Sequence, residues 1–142
     1  MQWLRWVVLV LALVEGGWLR SGDLGRQDED GYYYIVGRIK DMYISGGENV
    51  YAAEVEKVIN EHPAVLECAI IGVPDEQWGE VGCAFLLPRP EQRLPNDSEL
   101  IAWCRERLAP YKVPKQFIGV EEFPRTAAGK IQKHLLPRPE GG

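Results

Sequence analysis

Apolar residues along this chain recur with two different periods, which predict helices and strands mixed in one small unit. Val55, Val58 and Ile59 follow the helical spacing, so a helix is expected over residues 53–60. Acidic side chains in its first turn suit the positive end of the helix dipole. Two further helices are predicted, one capped by Asp97 or Ser98 and ending near Leu108, and a short one over residues 131–136.

Runs of β-branched and aromatic residues bounded by glycine, proline or aspartate predict the strands. The expected strands are residues 32–36, 42–44, 65–73, 81–87 and 116–120. Turns are expected at residues 21–25 and 37–41, and a glycine loop at 45–49. This order of elements predicts an α+β fold, with a small mixed sheet of about three to five strands and helices packed on it.

Composition refines this picture mainly by excluding functions. With 142 residues, of which 46% are hydrophobic, the chain is large enough for one domain with a buried core. The formal net charge is −5 and the basic residues are scattered, which argues against a nucleic-acid partner. The 2 histidines lie too far apart in the sequence to predict a metal site.

The cysteines and the N-terminal residues bear on the cellular compartment of the protein. Cys68, Cys83 and Cys104 are odd in number and lack C-x-x-C spacing. Cys68 and Cys83 lie in apolar runs and are expected to be buried thiols, which suits a reducing, cytoplasmic compartment. Residues 6–14 form an apolar run shorter than the about 20 residues that a membrane-spanning helix needs. The run has the length of a signal-peptide core, but no clear cleavage site follows it. We therefore expect residues 1–16 to be either an apolar segment that packs on something else or an atypical start of a truncated chain, without membrane association.

Three places could carry chemistry when the residues are considered alone. Asp23, in a glycine-flanked turn, suits hydrogen bonding to ligand hydroxyls but equally an ordinary Asx turn. Gly46 and Gly47 would let a backbone approach a ligand closely, or serve only as a turn. Lys130 follows a glycine and suits neutralisation of phosphate or carboxylate charge, although an isolated lysine is usually a solvated one. Each signal is weak by itself.

Four ordered motifs together resemble one family. They are GWLRSGDLG at 17–25, GRIKD at 37–41, SGGENVYAAEVE at 45–56 and PRTAAGKIQK at 124–133. They resemble, in turn, the end of the large domain, the interdomain hinge, the first loop and helix of the C-terminal domain, and the lysine loop of adenylate-forming acyl-CoA synthetases. The resemblance covers residues 17 to about 136 and implies an acid–CoA ligase.

The resemblance implies a role for each matching position. Asp23 would hold the ribose hydroxyls of ATP and of the acyl-adenylate, and Arg38 would contact the nucleotide. Lys40 would be the hinge residue about which the small domain swings between two half-reactions. The glycine pair, Gly46 and Gly47, would line the coenzyme A channel. Lys130 would be the catalytic lysine of adenylate formation, in which a carboxylic acid, preferably a fatty acid, reacts with ATP.

The resemblance also implies a division of the chain and its partners. Residues 17–36 would be a remnant of the large domain, 37–41 the hinge and 42–142 the small C-terminal domain, and no segment resembles the rest of the large domain. That missing part would hold most of the ATP and Mg²⁺. The chain is therefore expected to be a truncated ligase portion with negligible activity alone.

Three other interpretations stay open from the sequence. The chain could be a binding or regulatory module that completes a separate large domain in trans. It could be a truncated product without a function of its own. Residues 6–14 could also mark a secreted or membrane-attached domain, against which the unpaired cysteines argue.

Overall fold

The computed structural model describes residues 6–7 and 22–139. Eight strands and two α-helices are assigned within them. The strands are β1 (Trp6–Val7), β2 (Asp23–Gln27), β3 (Tyr33–Arg38), β4 (Met42–Ser45), β5 (Glu48–Tyr51), β6 (Val65–Asp75), β7 (Gly79–Pro88) and β8 (Gln116–Gly119). The helices are α1 (Ala52–Asn60) and α2 (Asp97–Arg105), and short 3₁₀ turns occupy Ile39–Asp41, Pro110–Lys112 and Lys133–Leu135. Most of the N-terminal segment predicted over residues 1–16 lies outside the described residues.

The described strands form two sheets. A three-stranded antiparallel sheet has the order β1-β2-β3, and a five-stranded mixed sheet has the order β5-β4-β7-β6 with β8 also paired to β7. The β7–β8 pair is parallel, whereas the other pairs of this sheet are antiparallel. Strand β7 is central, since it pairs with β4, β6 and β8, and β6 is an edge strand that forms a long ladder with β7.

Alternating side chains on β6 and β7 divide the core into two clusters, as the two-residue period of a strand requires. On one face, Ile70 and Leu86 pack with side chains of both helices. On the other face, Val81 and Phe85 pack with side chains from the C-terminal segment. The C-terminal contributors to this second cluster are Phe123, Ile131 and Leu136. Both faces of the ladder are therefore covered, one by helices and one by irregular chain.

Tyr43 lies across the ladder and requires glycine at two positions beneath it. It is 3% exposed, and its hydroxyl has no hydrogen-bond partner in the described structure. A Cβ added at Gly72 would lie 2.5 Å from Tyr43 Cβ, and one added at Gly82 would overlap the Tyr43 hydroxyl oxygen. Burial, and then nearby carboxylates, raise the pKa of this hydroxyl far above its usual value. The ring is thus held by shape rather than by a polar contact.

The predicted α+β fold is confirmed, but several elements differ in detail. Residues 21–25 were expected to be a turn, and this was wrong, because Asp23–Gln27 forms β2 by pairing with β3. Strand β5 was missed, since its polar start gives no strand signal. The helix expected over residues 131–136 is only the 3₁₀ turn Lys133–Leu135. The N-cap of α2 is Asn96, which forms a capping box with Glu99, rather than Asp97 or Ser98.

The three cysteines are all buried free thiols, which was expected for Cys68 and Cys83. Burial raises the pKa of Cys83 and of Cys104 to about 11, and raises that of Cys68 as well. Among the described residues, neither α1 nor α2 has the length and hydropathy of a membrane-spanning helix.

The fit of Tyr43 over Gly82 gives a prediction for stability. Gly82→Ala should lower the free energy of unfolding by about 1–3 kcal/mol, because the new methyl group meets the buried hydroxyl. Tyr43→Phe should be neutral or stabilising, since it removes a buried hydroxyl without a partner. In urea unfolding, the double variant should lose less stability than the sum of the single variants. Gly37→Ala is the control, because its Cβ would make only ordinary contacts at 3.9 Å. If the effects of Gly82→Ala and Tyr43→Phe on the free energy of unfolding were strictly additive, the new methyl group would not contact the Tyr43 hydroxyl.

The buried thiols give a prediction for pH dependence. At about pH 8, all three should react slowly with a thiol reagent in the folded chain and rapidly in urea, where their pKa returns to about 8.5. The folded state binds these thiol protons more tightly than the unfolded state. The stability contributed by Cys83 and Cys104 should therefore be complete below about pH 8.5 and be lost as the pH rises through about 11. Rapid reaction of native thiols would contradict this burial.

Candidate functional site

Lys130 lies in a tight turn that the backbone closes on itself. The Thr126 amide donates to the Lys130 carbonyl at 2.8 Å, and the Gly129 amide donates to the Thr126 carbonyl at 2.9 Å. Gly129 has φ +85°, a conformation that glycine adopts without steric cost. Arg125 and Ile131 form an antiparallel bridge at the base of the turn. The turn therefore presents Lys130 as an exposed side chain on a hydrogen-bonded backbone.

Ion pairs on both sides of this turn attach it to the sheet edge. Before Lys130, the Arg125 guanidinium pairs with Glu67 on β6, and this hydrogen bond raises the Arg125 pKa. After Lys130, Lys133 pairs with Glu56 of α1. Glu56 in turn accepts a hydrogen bond from the Ile70 amide of β6 at 2.9 Å, which satisfies a backbone group of the edge strand. Both attachments thus lead to β6.

The predicted hinge residue lies near the predicted catalytic lysine. Lys40 and Lys130 line one open groove of about 500 Å³, together with Lys133 and Arg138. Asp41 and Glu80 also line it, together with His134, so its ionised side chains have an excess of positive charge when the histidine is neutral. A groove with this charge balance attracts anions such as phosphates or carboxylates.

Asp23 and Arg38 face each other across β2 and β3. They are register partners, and Arg38 Nε lies 3.2 Å from Asp23 Oδ1. The Ile39 amide donates to the Gly22 carbonyl at 2.9 Å, which fixes the start of the predicted hinge against β2. Both side chains are partly exposed, at 29% for Asp23 and 46% for Arg38. The structure therefore brings the two predicted nucleotide-binding residues together as an accessible ion pair.

The glycine pair forms the turn between β4 and β5. Gly46 and Gly47 have φ +59° and +81°, so both adopt the left-handed conformation that favours glycine. The Gly46 amide donates to the Trp78 carbonyl at 2.9 Å, and a Cβ on Gly46 would lie 2.8 Å from Trp78 Cε3. Lys115 Nζ lies 4.5 Å from the centre of the same indole ring. The turn is therefore packed on an aromatic side chain that the sequence analysis did not single out.

The predicted site residues do not all line one cavity. Gly47 lines a second groove with basic and aromatic side chains, which is distinct from the groove of Lys130 and Lys40. The basic and aromatic side chains of this second groove are Arg26, Lys57, Lys112, Tyr51 and Tyr111. Within the described residues, no group of three or more acidic, histidine or cysteine side chains could hold a metal ion.

Comparison with known proteins identifies the family of this chain. Residues 54–130 match the family described as the AMP-binding enzyme C-terminal domain. The chain is 51% identical over 126 residues to a feruloyl-CoA synthase of an Amycolatopsis species, covering 89% of this chain and 26% of that protein. It is 48% identical over 122 residues to a long-chain-fatty-acid–CoA ligase of Mycobacterium tuberculosis, covering 86% and 24%.

Solved structures of related proteins support the same family. The o-succinylbenzoate CoA synthetase of Bacillus subtilis, in complex with its acyl-adenylate intermediate, superposes with a TM-score of 0.82 at 41% identity. The match covers 92% of this chain and 26% of that one, so this chain spans about a quarter of the length of the relatives it matches. The chain therefore belongs to the family of AMP-binding enzyme C-terminal domains, which is found in acid–CoA ligases.

Proposed function

We propose that this chain supplies the mobile, lysine-bearing part of an ATP-dependent acid–CoA ligase. The observation that carries the proposal is the placement of Lys130, exposed on a closed turn and sharing an electropositive groove with Lys40. The membership in a family of C-terminal ligase domains supports the same reaction class.

In the first half-reaction, a carboxylate oxygen attacks the α-phosphorus of ATP and pyrophosphate leaves. Negative charge gathers on the phosphoryl oxygens as the new bond forms. The Lys130 ammonium is a point charge on a flexible stem, which suits neutralisation of that charge. The closed turn lets the side chain reach out while its backbone stays fixed. In the second half-reaction, the thiolate of coenzyme A attacks the acyl carbon and AMP leaves.

The two half-reactions would use different surfaces of the domain. Lys130 and Gly47 line different grooves, which is the arrangement required if one groove faces the reacting atoms first and the other later. Residues 37–41 are the proposed hinge, with Lys40 as the residue that absorbs the change in dihedral angles. Asp23, which precedes that hinge, and Arg38, which lies within it, would bind the nucleotide.

The substrate is proposed as a carboxylic acid, together with ATP and coenzyme A. The relatives include feruloyl-CoA, long-chain-fatty-acid and 2-succinylbenzoate ligases, although their matched regions are all 44–51% identical to this chain. A region that is similar across such different acids is a poor source of acyl specificity, so the fatty acid favoured by the sequence is one of several candidates. The described residues offer no metal cluster, so we assign the Mg²⁺ that accompanies ATP to residues outside them.

A second candidate function is completion of a separate large domain in trans. Four consecutive residues on and beside β3, Tyr32, Tyr33, Tyr34 and Ile35, are each more than half exposed. Tyr33 and Ile35 lie on one face of β3 and Tyr34 on the other, because successive side chains of a strand alternate. Exposed apolar side chains that share a sheet face commonly mark interaction surfaces. The three-stranded sheet is therefore the surface on which we expect such a partner domain to pack.

Complementation tests the proposal directly. The chain is mixed with the separately expressed large domain of a related acyl-CoA ligase, and pyrophosphate release and acyl-CoA formation are followed. Lys130→Ala should lower the rate of adenylate formation by about a hundred- to a thousand-fold, because a charge-stabilising donor is lost. The control is Arg93→Ala, which removes an exposed positive charge outside both grooves.

The supply of acyl-adenylate separates the two half-reactions. With preformed acyl-adenylate, Lys130→Ala should form acyl-CoA at close to the wild-type rate. Equal adenylation rates in the wild type and the variant would remove the catalytic role from Lys130. If this chain activates no large domain while the relative's own C-terminal part does, the proposal that it works in trans is wrong.

A further inference from the structure

The peptide bond between Gly129 and Lys130 is held from both sides. The Arg125 Nη1 donates to the Gly129 carbonyl at 3.1 Å, and the Lys130 amide donates to Thr126 Oγ1 at 3.2 Å. The carbonyl and the amide of one peptide plane are therefore both occupied. Because this plane leads directly into the Lys130 Cα, its orientation sets the direction in which the Lys130 side chain leaves the turn.

Arg125 is itself fixed to the sheet. Its two terminal nitrogens reach both oxygens of Glu67, with Nη1 at 3.3 Å from Oε1 and Nη2 in a shorter contact with Oε2. Glu67 lies on β6, which pairs with β7 through the length of the ladder. The guanidinium carbon of Arg125 also lies 6.0 Å from the centre of the Phe123 ring, and Phe123 belongs to the second core cluster. One side chain therefore links the rigid sheet to the backbone beside Lys130.

We propose that Arg125, held by Glu67, is a positioning residue that fixes the Gly129–Lys130 peptide and thereby directs Lys130 toward the reacting phosphate. The inference rests on the proposed function for its catalytic consequence. The fixing of the Gly129–Lys130 peptide by Arg125 concerns this chain alone and does not depend on that function. The planar fork of a guanidinium can satisfy a carboxylate and a carbonyl together, which a single ammonium cannot do with the same geometry.

The structural part is tested by amide hydrogen exchange on the chain by itself. Arg125→Gln and Glu67→Gln should each speed exchange at the amides of Thr126, Gly129 and Lys130 by about ten-fold or more, because the turn loses its link to the sheet. Arg125→Lys should give an intermediate rate. Glu106→Gln is the matched control, since it removes an exposed ion pair with Arg107 far from the turn in sequence. Wild-type exchange at these amides in Arg125→Gln would overturn the proposal.

The catalytic part is tested in the complementation mixture. Arg125→Gln should lower kcat of adenylate formation by about ten- to a hundred-fold with little change in KM for ATP, because the lysine is misdirected while nucleotide binding is kept. Acyl-CoA formation from supplied acyl-adenylate should stay unchanged. A general loss of folding would instead reduce both half-reactions together, and that result would reject the positioning role.

A charge-swapped variant distinguishes the hydrogen bond from Arg125 to the Gly129 carbonyl from the ion pair between Arg125 and Glu67. The double variant Arg125→Glu with Glu67→Arg restores opposite charges but leaves no donor at position 125 for the Gly129 carbonyl. The proposal expects no rescue of adenylation or of amide protection, whereas full rescue would show that the ion pair alone matters. If Lys130→Ala keeps the wild-type rate, the proposed function fails and the catalytic part fails with it. If Lys130→Ala is inactive and Arg125→Gln is not, only the positioning role fails.

Discussion

The β6–β7 ladder is the element on which the rest of the described structure depends. It is the longest strand pair, and it contributes residues to both core clusters. The helices pack on one face, and the C-terminal segment packs on the other through Phe123, Ile131 and Leu136. Because a strand places successive side chains on opposite faces, a one-residue slip in this pairing would exchange the two clusters. The position of the lysine loop is therefore tied to the register of the ladder.

The sequence predicts the elements of this ladder well, because their signals are local. Largely apolar runs closed by proline predicted both strands, and helical spacing predicted α1. The error at residues 21–25 has a clear physical cause, since Gly22 and Gly25 favour turns, yet pairing with β3 makes Asp23–Gln27 a strand. Tertiary pairing overrides such local preferences. The capping box at Asn96 shows the converse case, in which a local signal one residue earlier was overlooked.

Contacts of the candidate site were less predictable, because they join residues far apart in the chain. Arg125 and Glu67 are separated by 58 positions, and no periodicity connects them. The same holds for Trp78, whose carbonyl and ring face Gly46 across the turn between two strands. Motif resemblance singled out the lysine and the glycines as candidates, since these lie within short segments. It could not find the side chains that hold those segments in place.

The structure also indicates why a lysine in an exposed turn can be oriented at all. A lysine side chain has many rotamers, and fixing it directly would cost much of the entropy that a surface residue keeps. Holding the backbone instead leaves the side chain free while limiting where it can point. The attachments by Arg125 and Lys133 lie on either side of Lys130, and both reach the β6 edge through acidic residues. If residues 37–41 act as the proposed hinge, a turn fastened in this way would move with the domain that follows them, and the lysine would be carried as part of a rigid body.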